Sequence, residues 1–248
     1  HRSSICSNFL FYYDLFDIII KKVEVFDFMK IEFLGHAAFL ITEGDYTLLF
    51  DPFLTGNPMA TKKPEELKPT HIFVSHGHSD HIGDAILIAR NSSAKVYTIF
   101  ELEEVFGKQG VEIEPGNLGG RLPAEFGSVK LIPAFHGSGI AGGHACGFVV
   151  KLNDKKIYFA GDTALFGDMS LLQDEQIDLA LLPIGDVFTM GIEDAAKAVE
   201  MIQPKNVIPM HYNTFPPIEK DPVEFKKLVE AKTQAKVTII KPGETTEL

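Results

Sequence analysis

At 248 residues, 45% hydrophobic and 23% charged, the chain can hold one large α/β domain with a sizeable core. A formal net charge of -11 argues against a general nucleic-acid or anionic-membrane surface and against long polyanions as partners. Two cysteines, Cys6 and Cys146, are too few and too far apart for a disulfide framework or a thiolate cluster, so the chain reads as cytoplasmic and any metal it holds has N/O ligands.

In chain order, residues 1–28 differ in pattern from the rest of the chain. Phe9 to Tyr13 and Ile18 to Ile20 are apolar, but Asp14 and Asp17 interrupt them, which disfavours a membrane span, and no small-residue cleavage site follows for a secretory signal. The segment reads as an N-terminal extension of unclear role, with the domain proper over 29–248.

From Met29 the pattern predicts strands at Ile31 to Leu34, Ala38 to Ile41 and Thr47 to Phe50, with turns at Gly35 and Gly44-Asp45. Residues 52–69, rich in Pro, Gly and Thr, predict a long loop of the kind that borders sites. An apolar run Ile72-Phe73-Val74 follows. Ile82, Ala85, Ile86 and Ala89 fall at helical spacing and predict a helix after His81. Lys95 to Ile99, Glu101 to Phe106 and Val111 to Ile113 then predict strand, helix and strand. Ser128 to Phe135, Gly147 to Leu152, Lys156 to Ala160, Leu179 to Pro183 and Asn206 to Met210 are further predicted strands, several apolar enough to be covered on both faces. Ala195, Ala198, Val199 and Ile202 line one face of a predicted helix. Asp221-Pro222-Val223-Glu224 opens another, with an N-cap, a first-turn proline and a capping-box Glu.

Between the run Ile72 to Val74 and the helix lies His76-Gly77-His78-Ser79-Asp80-His81. Four metal-capable side chains within six residues point to one shared metal site, against the plain alternative of a chance His-rich turn. The remaining candidates fall at strand ends. His136 follows the strand ending at Phe135, Asp162 follows the strand ending at Ala160, and His211 follows Met210, as His76 follows the run ending at Val74. Strands ending at one sheet edge bring such residues together. Five His and two carboxylates exceed one four-coordinate ion and suit two metals about 3.5 to 4 Å apart.

With these residues in place, the chain resembles the metallo-β-lactamase superfamily, marked by His-x-His-x-Asp-His and then His, Asp and His at later strand ends. The resemblance runs from about Lys30 to Leu248. It includes Leu34 to Phe39, Phe50 to Pro58, Leu182 to Gly191 and Pro209 to Pro216, which are similar to a small single-domain branch of metal-dependent hydrolases and to ascorbate-6-phosphate lactonases. It implies a four-layer αββα sandwich with the metal site at one edge of the sheets. It also implies His76, His78 and His136 on a first metal, Asp80, His81 and His211 on a second, and Asp162 bridging. His144 lies outside the shared pattern.

The function so implied is a binuclear metal-dependent hydrolase using a metal-bridging hydroxide on a small ester, lactone or phosphoester. Zn is the first expectation for the two divalent ions, with Mn, Fe, Ni or Co as alternatives. Two divalent ions against Asp80, Asp162 and a hydroxide leave one net positive charge. That favours an anionic or carbonyl-bearing small molecule, as would the N-terminus of the helix expected after His81. Asp80, Asp162 and His36 are the candidate catalytic residues. His36, Asp51, Asn57, Asp186 and Asn213 are candidates for contact with ligands or substrate, although turn chemistry alone would account for the last three.

Three other readings compete. A di-iron redox protein of this fold carries Glu where this chain has His78 and adds a flavin-binding domain. An RNA- or DNA-processing nuclease is longer and meets the adverse charge. A non-catalytic metal-binding protein would have lost ligands, and all seven positions are filled. No membrane partner is expected, nucleic acid is disfavoured, and a homo-oligomer is left open.

Overall fold

The computed structural model describes residues 28–248, so the expectations for the arm before Phe28 lie outside the described residues. The strands are β1 (Lys30–Gly35), β2 (Ala38–Glu43), β3 (Tyr46–Phe50), β4 (His71–Val74), β5 (Lys95–Ile99), β6 (Ile113–Gly116), β7 (Arg121–Ala124), β8 (Gly127–Pro133), β9 (Cys146–Leu152), β10 (Lys155–Phe159), β11 (Leu179–Pro183), β12 (Asn206–Met210), β13 (Lys236–Val237) and β14 (Thr245–Glu247). They form two seven-stranded sheets, ordered β14-β1-β2-β3-β4-β5-β6 and β13-β12-β11-β10-β9-β8-β7. The helices are α1 (Ser79–Ile82), α2 (Ala85–Ser92), α3 (Glu103–Gly107), α4 (Ile192–Ile202) and α5 (Pro222–Lys232). The architecture is the expected αββα sandwich. Among the described residues no helix is long and apolar enough to cross a membrane.

The sheets meet through aromatic rings. Phe50 stacks on Phe73 at 4.6 Å and Phe73 on Tyr97 at 5.3 Å within the first sheet, while Phe159 and Phe148 of the second come within 5.0 and 5.5 Å of Phe50 and Phe73. All five are essentially fully buried, and aromatic side chains carry much of a core's apolar burial. On the outer face of the second sheet, α4 buries the predicted stripe Ala195, Ala198, Val199 and Ile202. Asp221 caps α5 as expected, its carboxylate accepting from the Val223 N–H at 2.9 Å.

Strand direction brings the site together. In the first sheet β3, β4 and β5 are parallel, and β1 runs with them because it and β3 both pair antiparallel with β2. In the second, β10, β11 and β12 are parallel, and β8 runs with them across the antiparallel β9. Residues just beyond β1, β3, β4, β8, β10 and β12 therefore reach one edge. The backbone N–H of His211 donates to the carbonyl of His36 at 2.8 Å, joining the sheets there.

Several local expectations need correction. The helix expected after His81 begins inside the cluster, with α1 spanning Ser79–Ile82 and α2 starting only at Ala85. Gly83 separates them at φ +40, and a Cβ there would meet the Pro52 carbonyl at 2.4 Å, so only glycine fits at the break. The anion-holding role expected of that helix N-terminus does not survive, because Asp84 occupies the start of α2 and accepts from the N–H groups of Leu54 and Thr55. The strand expected at Val111 to Ile113 runs instead over Ile113–Gly116, and the helix expected from Glu101 opens as a 3-10 turn at Phe100–Leu102.

Candidate metal centre

The loops after β4 and β8 carry the first group of donors. His76 Nε2 lies 2.9 Å from His78 Nδ1, which lies 3.3 Å from His136 Nε2. A tetrahedral ion with metal–nitrogen bonds of about 2.0 Å holds its ligand atoms about 3.3 Å apart, so this spacing fits a shared cation. Gly139 has no room for a side chain, since its Cβ would meet His78 N at 2.6 Å, and the Gly77 N–H donates to the Ser138 carbonyl at 2.7 Å. That approach lays the loop bearing His136 against the loop bearing His78.

His36, Asp80, His81 and His211 form the second group, all with a donor atom within 4.8 Å of the others. Asp162 stands between the groups. Its Oδ2 is 3.2 Å from His81 Nε2, 3.2 Å from His211 Nε2 and 3.5 Å from His136 Nε2. His81 Nε2, both His211 ring nitrogens and Asp162 Oδ1 are buried without hydrogen-bond partners. Unpaired buried polar atoms are costly, at about 1 to 3 kcal/mol each, and a cation would satisfy those that face Asp162, His81 Nε2 and His211 Nε2 among them. The donor set thus fits divalent metal in chemistry and spacing.

The supporting bonds fix which nitrogens face inward. Asp51, fully buried, accepts from Ser75 N at 2.8 Å through Oδ1, and from Ser75 Oγ and His81 Nδ1, both at 2.6 Å, through Oδ2. Ser75 Oγ, its proton given to Asp51, accepts from His76 Nδ1 at 2.9 Å. His76 and His81 are thereby set with Nδ1 protonated and the Nε2 lone pair toward the centre. His36 Nδ1 lies 2.9 Å from Thr214 Oγ1 and Nε2 lies 3.2 Å from Asp80 Oδ2. The Thr214 hydroxyl also reaches Met59 Sδ at 3.3 Å, but a ring nitrogen is the stronger acceptor. His36 then donates from Nε2 and orients Asp80.

Burial and charge act in opposition here. Desolvation lowers His36 to about 4 and His76 to about 2. For His81 burial also disfavours the cation, but Asp162 and Asp51 outweigh it and raise its pKa well above the ordinary histidine value. Burial likewise opposes ionisation of Asp162 and Asp80; His81 and His211 hold Asp162 down, and the His36 hydrogen bond with nearby histidines holds Asp80 down. Desolvation lowers His136, with Asp162 partly offsetting it. The backbone is strained at the same places. His36, Asp51 and His211 adopt φ of +59, +35 and +54, conformations costing non-glycine residues about 1 to 2 kcal/mol each.

The remaining candidates sit apart from this cluster. Asn57 serves its own loop, donating to the Phe53 carbonyl and accepting from Met59 N, both at 2.9 Å. Asn213 accepts from Lys220 N, and Asp186 is exposed and paired with Lys220 at 3.0 Å. His144 is exposed. Sequence reasoning passed over Ser75 and Thr214; the available signal was a hydroxyl residue adjoining, or three positions after, a predicted ligand.

A family model described as "Beta-lactamase superfamily domain" matches residues 46–212. The chain belongs to the metallo-β-lactamase superfamily. A metal-dependent hydrolase of Pelotomaculum thermopropionicum is 52% identical over 229 residues, covering 89% of this chain and 100% of the relative. Another, from Archaeoglobus fulgidus, is 47% identical over 229 residues, covering 88% and 99%. Among solved structures, a metallo hydrolase from the hyperthermophilic archaeon Ignicoccus hospitalis superposes with a TM-score of 0.84 at 37% identity, covering 89% of this chain and 98% of that one. A metallo-β-lactamase fold protein from Bacillus subtilis, at 17% identity and TM-score 0.70, shares the fold. This member of the superfamily is a metal-dependent hydrolase, and its His/Asp clusters are the candidate metal-binding groups.

Proposed function

We propose that the protein is a binuclear hydrolase of small esters, lactones or phosphoesters, built over residues 29–248. His76, His78 and His136 would hold one divalent ion and Asp80, His81 and His211 the other, with Asp162 standing between the two groups. The observation carrying this reading is Asp162 Oδ2, within 3.5 Å of ring nitrogens from both groups.

Divalent metal bound there would supply a water of lowered pKa, toward about 7, and Lewis-acid polarisation of the scissile oxygen. The chain's own residues prepare the place. Asp51 and Ser75 hold His76 and His81 in the ligating tautomer. His36 holds Asp80 in line, and Asp80, about a third exposed, is the carboxylate placed to pass a proton toward a leaving oxygen. Zn is the first choice for this N/O set.

The test is elemental analysis of reconstituted protein together with a screen of phosphomonoesters, phosphodiesters, lactones, carboxyl esters and β-lactams. About two equivalents of metal per chain and metal-dependent turnover are expected. A reproducible single equivalent, with no second event in a titration, would sink the binuclear reading.

A further inference from the structure

The same sheet edge that carries the donors carries a set of apolar side chains facing water. Phe135, directly before His136, is 64% exposed, and Val187 and Phe188, just beyond β11, are 65% and 57% exposed. Phe215, four residues after His211, is 37% exposed, and its ring lies 5.8 Å from that of His36. Phe53 approaches His36 at 5.7 Å and Phe215 at 6.5 Å. Phe166, four residues after Asp162, packs on Phe135 at 5.0 Å. Exposed apolar side chains scattered singly are ordinary; a set gathered around one site implies an apolar ligand.

The turn beyond β11 is held there at a cost. Val187 has φ +43, a true outlier for a β-branched residue. Its neighbours keep it in place through the Lys220–Asp186 pair at 3.0 Å and the Met190 N–H donating to the Thr163 carbonyl at 2.9 Å. Thr163 follows Asp162 directly, so this turn is tied to the strand end that carries the proposed bridge. The backbone strain places two apolar side chains in solvent, a cost that packing against a substrate would offset.

Cationic side chains are scarce at this edge. Among the described residues there are two arginines. Arg121 is engaged by Glu175 at 3.2 Å, and Arg90 lies in the last turn of α2, at the far end of the sheet. Lys220 is committed to Asp186. Among the described residues neither arginine nor Lys220 is free to balance a phosphate dianion beside the metals, whereas a carboxyl ester needs no such partner.

We propose that the substrates are carboxyl esters or lactones whose acyl portion is apolar, lodged among Phe53, Phe135, Phe166, Val187, Phe188 and Phe215. This rests on the hydrolytic reading of the metal centre. In the reaction, water's oxygen bonds to the acyl carbon, the acyl C–O bond breaks with its electron pair going to the alkoxide, and one proton of the water passes to that oxygen. Carboxylic acid and alcohol, or the hydroxy acid of a lactone, are the products.

The test uses the full chain loaded with Zn. Binding of acetate, butyrate, hexanoate and octanoate is measured by calorimetry, and hydrolysis is measured for the matching p-nitrophenyl esters. Affinity should tighten about two- to fourfold per methylene, up to the value for a fully buried CH₂, and kcat/KM should rise in parallel. Phe188→Ser and Phe215→Ala should flatten both slopes at unchanged metal content. Equal affinity across the acids, or none for any of them, overturns the proposal. So does a change in sedimentation mass caused by Phe188→Ser, which would give the rim to a second copy of the chain. Esters cleaved without regard to length would leave the hydrolase standing and remove the apolar rim. Chain-length-dependent acid binding without cleavage of any ester or lactone would keep the rim and remove carboxyl-ester hydrolysis.

Discussion

The two halves of the candidate metal centre are built on different principles. His76, His78 and His136 converge as three imidazoles, two of them partly exposed, on loops held together by glycine contacts. Asp80, His81 and His211 are mixed oxygen and nitrogen donors, two of them buried, backed by a carboxylate, Asp51, and by the imidazole of His36 with the hydroxyl of Thr214. The first group is selected by shape, the second by balanced charge. Losing a carboxylate should therefore damage the second group far more than the first.

The strongest challenge to that contrast is Asp162→Asn. The amide keeps the size but removes the charge nearest His81 and His211, so the second ion should be lost first while the three imidazoles keep theirs. Metal analysis should fall from about two equivalents toward one, and kcat/KM should drop on the order of a thousandfold. Equal weakening of both ions would show that the halves are not distinct.

Asp51→Asn comes next. It leaves every proposed ligand in place but weakens the bonds that set the His81 and Ser75 protons. A loss of about 10- to 100-fold in affinity for the second ion, with a smaller loss for the first relayed through Ser75 to His76, is expected by competitive chelation, since supporting residues of ligands carry effects of that size.

His36→Ala sharpens the comparison from the other side, because His36 touches Asp80 but is not a proposed ligand. Both ions should stay bound, and kcat/KM should fall by about tenfold, with His36→Gln recovering part of the loss by supplying an N–H. A variant stripped of one ion would place His36 among the ligands.

Stability of the chelated, metal-free protein should also depend on pH, with opposite signs from histidines within the centre. His36 and His76 are lowered from 6.5 to about 4 and about 2, so between pH 6.5 and 4 the unfolded chain binds protons that these folded side chains refuse. Their share of stability is present above 6.5 and falls as the solution is acidified. His81 has the opposite sign: its raised pKa gives stability that is complete below 6.5 and is lost as pH rises through the folded value. Thermal melts of the chelated protein from pH 7 to 5 should show a net decline, smaller in His36→Gln.

The smallest effect is expected from a chain starting at Met29. Met29 is buried and exchanges two backbone hydrogen bonds with Leu248, both at 3.0 Å, so the sheet edge is complete from that residue on. Melting temperature and metal content should match the parent. A metal-free product would make the preceding segment structural.

Much of this fold could be read from residue order because the central strands are apolar on both faces. Leu179–Pro183 and Asn206–Met210 match their expected limits to the residue, and both are covered by the other sheet and by helices. The edge strands were not legible. Arg121–Ala124, Lys236–Val237 and Thr245–Glu247 are four, two and three residues long, too short to display a period, and pairing with a neighbour makes them strands. The helix after His81 begins elsewhere than expected because Ile82, Ala85, Ile86 and Ala89 keep helical spacing across a break at Gly83, which packs against Pro52 some thirty residues upstream. The donors stood out through residue type and strand-end position. Among their supports His36 and Asp51 were legible in the same way, whereas Ser75 and Thr214 were not, because a lone hydroxyl gains meaning only from the neighbours folding gives it.

The hydrogen bond from the His211 N–H to the His36 carbonyl has a bearing on how the molecule is made. It joins the first strand's exit to the exit of β12, and the adjoining His36–Thr214 contact spans 178 residues of sequence. Contacts this remote in sequence close late, since the chain must lose a large loop's freedom before gaining from them. During synthesis the imidazole trio is complete once His136 has emerged, whereas its companion must wait for His211. Metal uptake should therefore be stepwise in time, the later step marking the moment at which the two sheets lock.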